Sequence, residues 1–193
     1  MNYPMGIKKS NNQIINYSHR GMNLEDDINQ SNEYYRSKDI AYIYKKPTPI
    51  KVTKVDFRKD RTSTIKEAFY EEPSTTDYNG IYKGYYIDFE AKQTKNKTAF
   101  PLANIHKHQI KHLENITRHG GIGFIVVRFD LLNETYLLKD DDLFSFIKSN
   151  DRKSIPIKYF KEKGYLIKEG YNPRLDYLKV VDEFLEVKYN GKI

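Results

Sequence analysis

Asp88, Glu90 and Lys92 stand at alternate positions in GYYIDFEAKQT, and Asp77 lies eleven residues before the first of them. The stretch is aromatic and β-branched and is entered through Gly84, which predicts a strand. Side chains alternate along a strand, so Asp88, Glu90 and Lys92 should share one face while Ile87, Phe89 and Ala91 turn into a core. Carboxylates in a row can hold a hard divalent cation such as Mg²⁺. A lysine beside them can act on the attacking water or on a phosphate. Alternating charge on a solvated strand is the competing reading of the same three residues.

The elements that must position these residues follow from the flanking sequence. Asn23 can cap a helix whose first turn carries Glu25, Asp26 and Asp27, favourable at the positive end of its dipole. Leu24, Ile28 and Tyr35 recur at helical spacing, so this helix should run to about Arg36. Ile40 to Lys45 reads as a strand, and Thr75 to Gly80 as a turn-rich approach to the carboxylate strand. Pro101 should precede a helix from about Leu102 to Arg118 that faces the core with Ile105, Ile110, Leu113 and Ile116 and ends at Gly120 and Gly121. Gly123 to Val127 is apolar throughout, as in a strand buried on both faces. A strand over Glu134 to Leu138, a helix opening at Asp140 to Asp142, a short helix after Pro156 and a C-terminal helix carrying Leu178, Val181 and Leu185 complete the order. The fold class expected is α/β, a mixed central sheet between helices.

Between Pro47 and Pro73 the chain leaves this pattern. Val52, Val55 and Phe57 alternate with charge as in an exposed hairpin. From Lys45 to Lys66 there are eight basic residues against Asp56 and Asp60, most of the excess behind the chain's net charge of +7. A protruding two-stranded element would bring Lys54, Arg58, Lys59, Arg61 and Lys66 to phosphates. Edge lysines that discourage aggregation would explain the same charge without DNA. The first twenty residues lack apolar periodicity and read as a flexible basic arm. With 193 residues the chain suits one domain.

Cysteine is absent, which excludes disulfides, thiolate zinc sites and cysteine nucleophiles and fits a cytoplasmic protein. No run approaches bilayer length and no signal-peptide pattern is present, so no membrane partner is expected. There is no G-x-x-x-x-G-K-[ST] loop and no G-x-S-x-G elbow. His108 and His112 are four apart, but no HExxH surrounds them; a helix face lining a DNA groove, or plain exposure, accounts for them better than zinc. Gln109 can be turned back toward a metal from the helix after the carboxylate strand, or be a surface glutamine. Glu25 can serve such a site or simply the helix dipole.

Several stretches, in order along nearly the whole chain, resemble the RecU-type Holliday junction resolvases of Gram-positive bacteria. They are MNYP, RGMNLEDDIN, KKPTP, STTDYNGIYKGYYIDFEAKQTKNKTAFPL, the HQI of the following helix and GYNPRLDYLK. The resemblance implies the restriction-endonuclease-like core of the PD-(D/E)xK superfamily with a stalk inserted between core strands, and a Mg²⁺-dependent homodimer that cuts four-way DNA junctions. It implies that Thr75, Asp77, Glu90 and Gln109 surround the metal, that Lys92 stabilises the transition state or orients the water, and that Asp88 belongs to the same acidic motif. Glu25 resembles the first-helix glutamate that supports such sites. Thr76 stands where the wider superfamily has its proline. The stalk is expected to enter the junction centre, and contacts with recombinase and branch-migration proteins are implied without a surface to assign them to. A site-specific duplex endonuclease of the same fold and a non-catalytic DNA-binding accessory protein are the alternatives.

Overall fold

In a computed structural model, residues 23–57, 62–70 and 75–190 are described. The chain opens with α1 (Leu24–Ser37), where the Asn23 side chain accepts the Asp26 amide and three acidic residues fill the first turn. Then come β1 (Tyr42–Lys45), β2 (Ile50–Phe57), β3 (Ser63–Tyr70), β4 (Tyr78–Tyr82) and β5 (Tyr85–Thr94). After β6 (Ala99–Pro101) and a 3₁₀ turn (Leu102–Asn104) follow α2 (Lys107–Arg118), β7 (Ile122–Phe129), β8 (Glu134–Lys139), α3 (Asp140–Ser149), β9 (Ser154–Pro156), α4 (Ile157–Lys163), β10 (Tyr165–Leu166) and α5 (Tyr177–Asn190).

Six strands form the central sheet in the order β1-β4-β5-β7-β8-β10. Only β5 and β7 run parallel; the other pairings in this sheet are antiparallel. A parallel pair needs a crossover, and the segment from β6 to α2 supplies it. β4 and β5 are joined through Lys83 (φ 49°) and Gly84 (φ 79°), a two-residue turn with both central residues at positive φ. That geometry matches the twist of a tight hairpin.

The sheet is covered on both faces. Phe89, Phe124 and Val126 pack with Leu24 and Ile28 of α1 and Tyr177 and Val181 of α5. Phe89 lies flat between Tyr78 and Phe124, with ring centroids 4.8 and 4.7 Å apart. Ile125, Val127 and Phe129 pack on the other side with Leu113, Leu143 and Phe160. This is why β7 is apolar from Ile122 to Val127: each of its faces meets a helical layer. The mixed α/β architecture agrees with the expectation, and β2 and β3 form a separate antiparallel hairpin, exposed along nearly its whole length.

Two boundaries differ from the expected ones. Tyr78 to Gly80 are strand rather than turn, because β4 pairs with both β1 and β5. The helix after Pro101 begins five residues later than Leu102, at Lys107. Buried Phe100 pairs with Ile155 of β9, and this tertiary pairing draws residues 99–101 into a strand. Lys54 and Lys66 sit on the hairpin, paired with Glu67 and Asp56. Arg58, Lys59 and Arg61 lie outside the described residues, as does the expected arm over residues 1–20.

Candidate active site

The site arises where β4 stops and β5 continues. Tyr78 is opposite Phe89, so from Glu90 onward β5 has no β4 residue beside it. A strand edge left there must find other partners for its backbone. The Ala91 amide donates to Asp77 Oδ2 at 3.2 Å, and the Asp77 amide donates to Glu90 Oε2 at 3.2 Å. These reciprocal bonds hold Asp77 and Glu90 against each other. The Lys92 ammonium forms an ion pair with Glu90 Oε1.

The opening beside them is a cavity of ≈ 210 Å³ lined by Asn23, Leu24, Glu25, Asp77, Tyr78, Ala91, Lys92 and Gln93. The first turn of α1 closes one side, fixed there by the Leu24 amide donating to Gln93 Oε1 at 3.1 Å. Glu25 therefore reaches the same cavity as Asp77 and Lys92, and Lys45 at the end of β1 pairs with it.

Glu90 is fully buried. Burial, and then the Asp77 carboxylate, push it up to about 8, against the pull of Lys92. Its Oε1 has the Lys92 ammonium as its one partner among the described residues. Two adjoining carboxylates that share one ammonium are under-compensated in positive charge. A hard divalent cation takes such oxygens, with waters for its remaining positions, so this donor set fits a cation such as Mg²⁺. Among the described residues no group of three or more His, Cys, Asp and Glu side chains makes a ready-built cage.

Asp88 belongs to a different cluster on the same strand. It is fully buried, and four side chains converge on it. Thr76 Oγ1 donates to Oδ1. Lys46 Nζ at 2.8 Å, Tyr86 OH at 3.0 Å and His112 Nε2 at 3.1 Å reach Oδ2. The structure thus divides Asp88, Glu90 and Lys92 between two clusters, burying the two carboxylates and leaving Lys92 partly exposed at the cavity. Gln109 is buried in the first turn of α2, where its Oε1 accepts the His106 amide at 2.9 Å. Thr75 precedes Thr76 at the turn into β4. Neither Thr75 nor Gln109 lines the cavity.

Sequence reasoning missed Lys46, Tyr86 and Gln93. Lys46 is the second lysine of KKPTP and could have been singled out by its place just before the hairpin. His112 is also corrected: it faces buried Asp88 rather than solvent or a DNA groove.

Fold and site together define the class: a mixed α/β protein with a carboxylate–lysine centre suited to phosphodiester hydrolysis. The chain belongs to the RecU family, whose model, described as Recombination protein U, matches residues 19–183. A "Holliday junction resolvase RecU" of Geobacillus kaustophilus is 50% identical over 94% of this chain and 96% of its own length. One from Geobacillus sp. (strain WCH70) is 53% identical over 87% and 85%, and one from Pediococcus pentosaceus 47% over 96% and 98%. The solved structure of the Archaeoglobus fulgidus Holliday junction resolvase Hjc aligns at 10% identity and a TM-score of 0.39, covering 69% of this chain and 93% of that one. A likeness that slight adds nothing to the family assignment.

Proposed function

We propose that this chain is a Holliday junction resolvase, a Mg²⁺-dependent endonuclease that cuts four-way DNA junctions in recombination, repair and chromosome segregation. The observation that carries the reading is the Asp77–Glu90–Lys92 cluster, whose Asp77 and Lys92 line the cavity with Glu90 buried behind them, in a chain about half identical to proteins bearing that name. Asp77 and Glu90 would hold the cation, which would supply Lewis-acid activation of water and offset charge at the scissile phosphate. Thr75 and Gln109 are the further metal-site residues of this reading, and Glu25 supports the site from α1. Lys92 places its ammonium beside the phosphate and holds Glu90 in position. The first turn of α1 lines the cavity, so that Glu25 and Lys92 both border the space a backbone would enter.

The β2–β3 hairpin is the stalk, with Lys54, Lys66, Arg58, Lys59 and Arg61 as its phosphate contacts. One nuclease domain carries the whole apparatus. Two copies related by a two-fold axis place matched sites on opposing strands of a symmetric junction. The reading puts the protein in the cytoplasm, where recombinase and branch-migration proteins would meet it; among the described residues no helix is long and apolar enough to cross a membrane.

The test is incubation of the purified protein with a labelled four-way junction and a linear duplex of the same sequence, with and without Mg²⁺. Paired nicks in the junction that require the cation are expected. Site-specific cutting of the duplex alone, or binding without cutting, would replace the reading with one of its alternatives.

A further inference from the structure

The Asp88 cluster stands at the root of the hairpin. Lys46 follows the last residue of β1 and leads into the hairpin; Thr76 lies where the chain returns from it. Both donate to the same buried carboxylate, and Lys46 Nζ also reaches Thr76 Oγ1 at 3.0 Å. The backbone closes the same joint, since the Lys46 amide donates to the Asp77 carbonyl at 2.8 Å. The outgoing and incoming ends of the hairpin are therefore fastened to each other and to Asp77. His112 from α2 and Tyr86 from β5 tie the fastening to the body of the protein.

Charge-assisted bonds to a carboxylate away from water are the strongest kind available here. Along its described strands β2 and β3 pair with each other and are exposed almost throughout. A displacement of the hairpin is passed to its roots, and Thr76 is bonded in sequence to Asp77. Asp77 in turn holds the Ala91 amide and packs against Glu90.

We infer that Asp88, with Lys46 and Thr76, is a coupling clamp through which engagement of the hairpin by a branched DNA sets Asp77 in its cutting position. Asp88 is then a positioning residue, and junction selectivity resides partly in the rate of cutting, beyond affinity alone. This rests on the nuclease reading above.

A double-mutant cycle tests it. The clamp variants are Thr76→Val, which keeps the side-chain shape, and Lys46→Met. The hairpin variant replaces residues 52–68 with Asn-Gly, leaving the Ile50–Tyr70 and Lys51–Phe69 pairs to close a tight turn. Single-turnover cleavage is measured at saturating junction, with junction affinity by fluorescence anisotropy in EDTA and thermal melting alongside. Each clamp variant should cut about tenfold to a hundredfold more slowly, the effect of one lost bond to a charged group. Its affinity should stay within about threefold of the unaltered protein, well inside one tenfold step. The hairpin variant should also cut more slowly at saturation. Combining it with either clamp variant should add little, because both interrupt one connection.

Multiplying losses in the double variant would overturn the proposal, since the clamp would then position Asp77 independently of the hairpin. Normal cutting by Thr76→Val and Lys46→Met, or by the hairpin variant at saturation, would overturn it as well. Losses matched by a fall in affinity and melting temperature would reduce the clamp to a structural prop. An unaltered protein that cuts no junction would remove the nuclease reading itself, a failure distinguishable from all of these.

Discussion

Asp77 Oδ2 takes the Ala91 amide at 3.2 Å, a hydrogen bond that a neighbouring strand would otherwise supply. One carboxylate thereby completes a sheet edge and presses on a second carboxylate, Glu90. The two tasks conflict, because the arrangement that suits a cation is electrostatically unfavourable without one. Asp77→Asn keeps an oxygen for the amide and removes the charge. This variant should melt at or above the temperature of the unaltered protein in EDTA, while junction cleavage falls by at least about a hundredfold, as for removal of a group needed at a metal site. Differential scanning fluorimetry and a cleavage time course decide it; a lower melting temperature would mean the charge is not a source of strain.

The pH dependence of stability follows from the same pair. Glu90 titrates at about 8 in the folded protein against 4.5 as a free side chain. Across that window the folded state keeps a proton the unfolded chain has released, so stability falls as pH rises, by at most about 1.4 kcal/mol per pH unit for one group. Asp140, held up to about 6 from 3.8 chiefly by burial, adds a fall of the same sign at lower pH. Melting temperature in EDTA should thus decline between pH 5 and pH 8. Glu90→Gln should flatten the upper part of the decline, and Mg²⁺ should raise the melting temperature at pH 8 in the unaltered protein but not in Glu90→Gln.

Lys92→Ala separates binding from chemistry. The ammonium pairs with Glu90 at the cavity, distant in sequence from the hairpin lysines. Junction affinity should hold while cleavage drops by about a hundredfold or more, the scale of losing one preorganised electrostatic group. Undiminished cutting would remove Lys92 from the site.

Charge on the hairpin should govern salt dependence. Lys54→Glu with Lys66→Glu should weaken junction binding and reduce the slope of log affinity against log salt by roughly one unit per lost phosphate contact. Reversal at Arg58, Lys59 and Arg61 should act in the same sense. An unchanged slope would place the DNA path elsewhere.

Asp27 on α1 offers a prediction about the scaffold alone. It is buried, with Arg128 Nη2 at 2.6 Å and Arg174 Nε at 3.1 Å. Asp27→Ala leaves Arg128 and Arg174 with Glu169, at 3.6 and 3.0 Å, as their remaining carboxylate, and breaking a buried pair in this way costs about 3 kcal/mol, the low end of such losses. Urea unfolding should show that loss of stability, and replacing Asp27 and Arg128 together by apolar residues should cost less than Asp27→Ala.

Much of this was legible from residue order because local and tertiary demands agree. Asn23 with its three following acids caps α1 as expected, and the apolar run at 123–127 is buried because both sheet faces are covered. Periodicity placed Asp88, Glu90 and Lys92 on one face but was silent on partners. The division of that face into two clusters depends on Lys46 and His112, which reach Asp88 from positions 42 and 24 residues away. The strand at 99–101 was hidden for the same reason: its pairing partner is β9.

The hairpin gives the molecule two regimes of backbone protection. Amides of β7 lie between two strands and beneath two helical layers, and they should exchange with deuterium only through global unfolding. Those of β2 and β3 bond across a solvated ribbon and should exchange through local opening. The hairpin's amides can therefore report DNA contact without interference from the core.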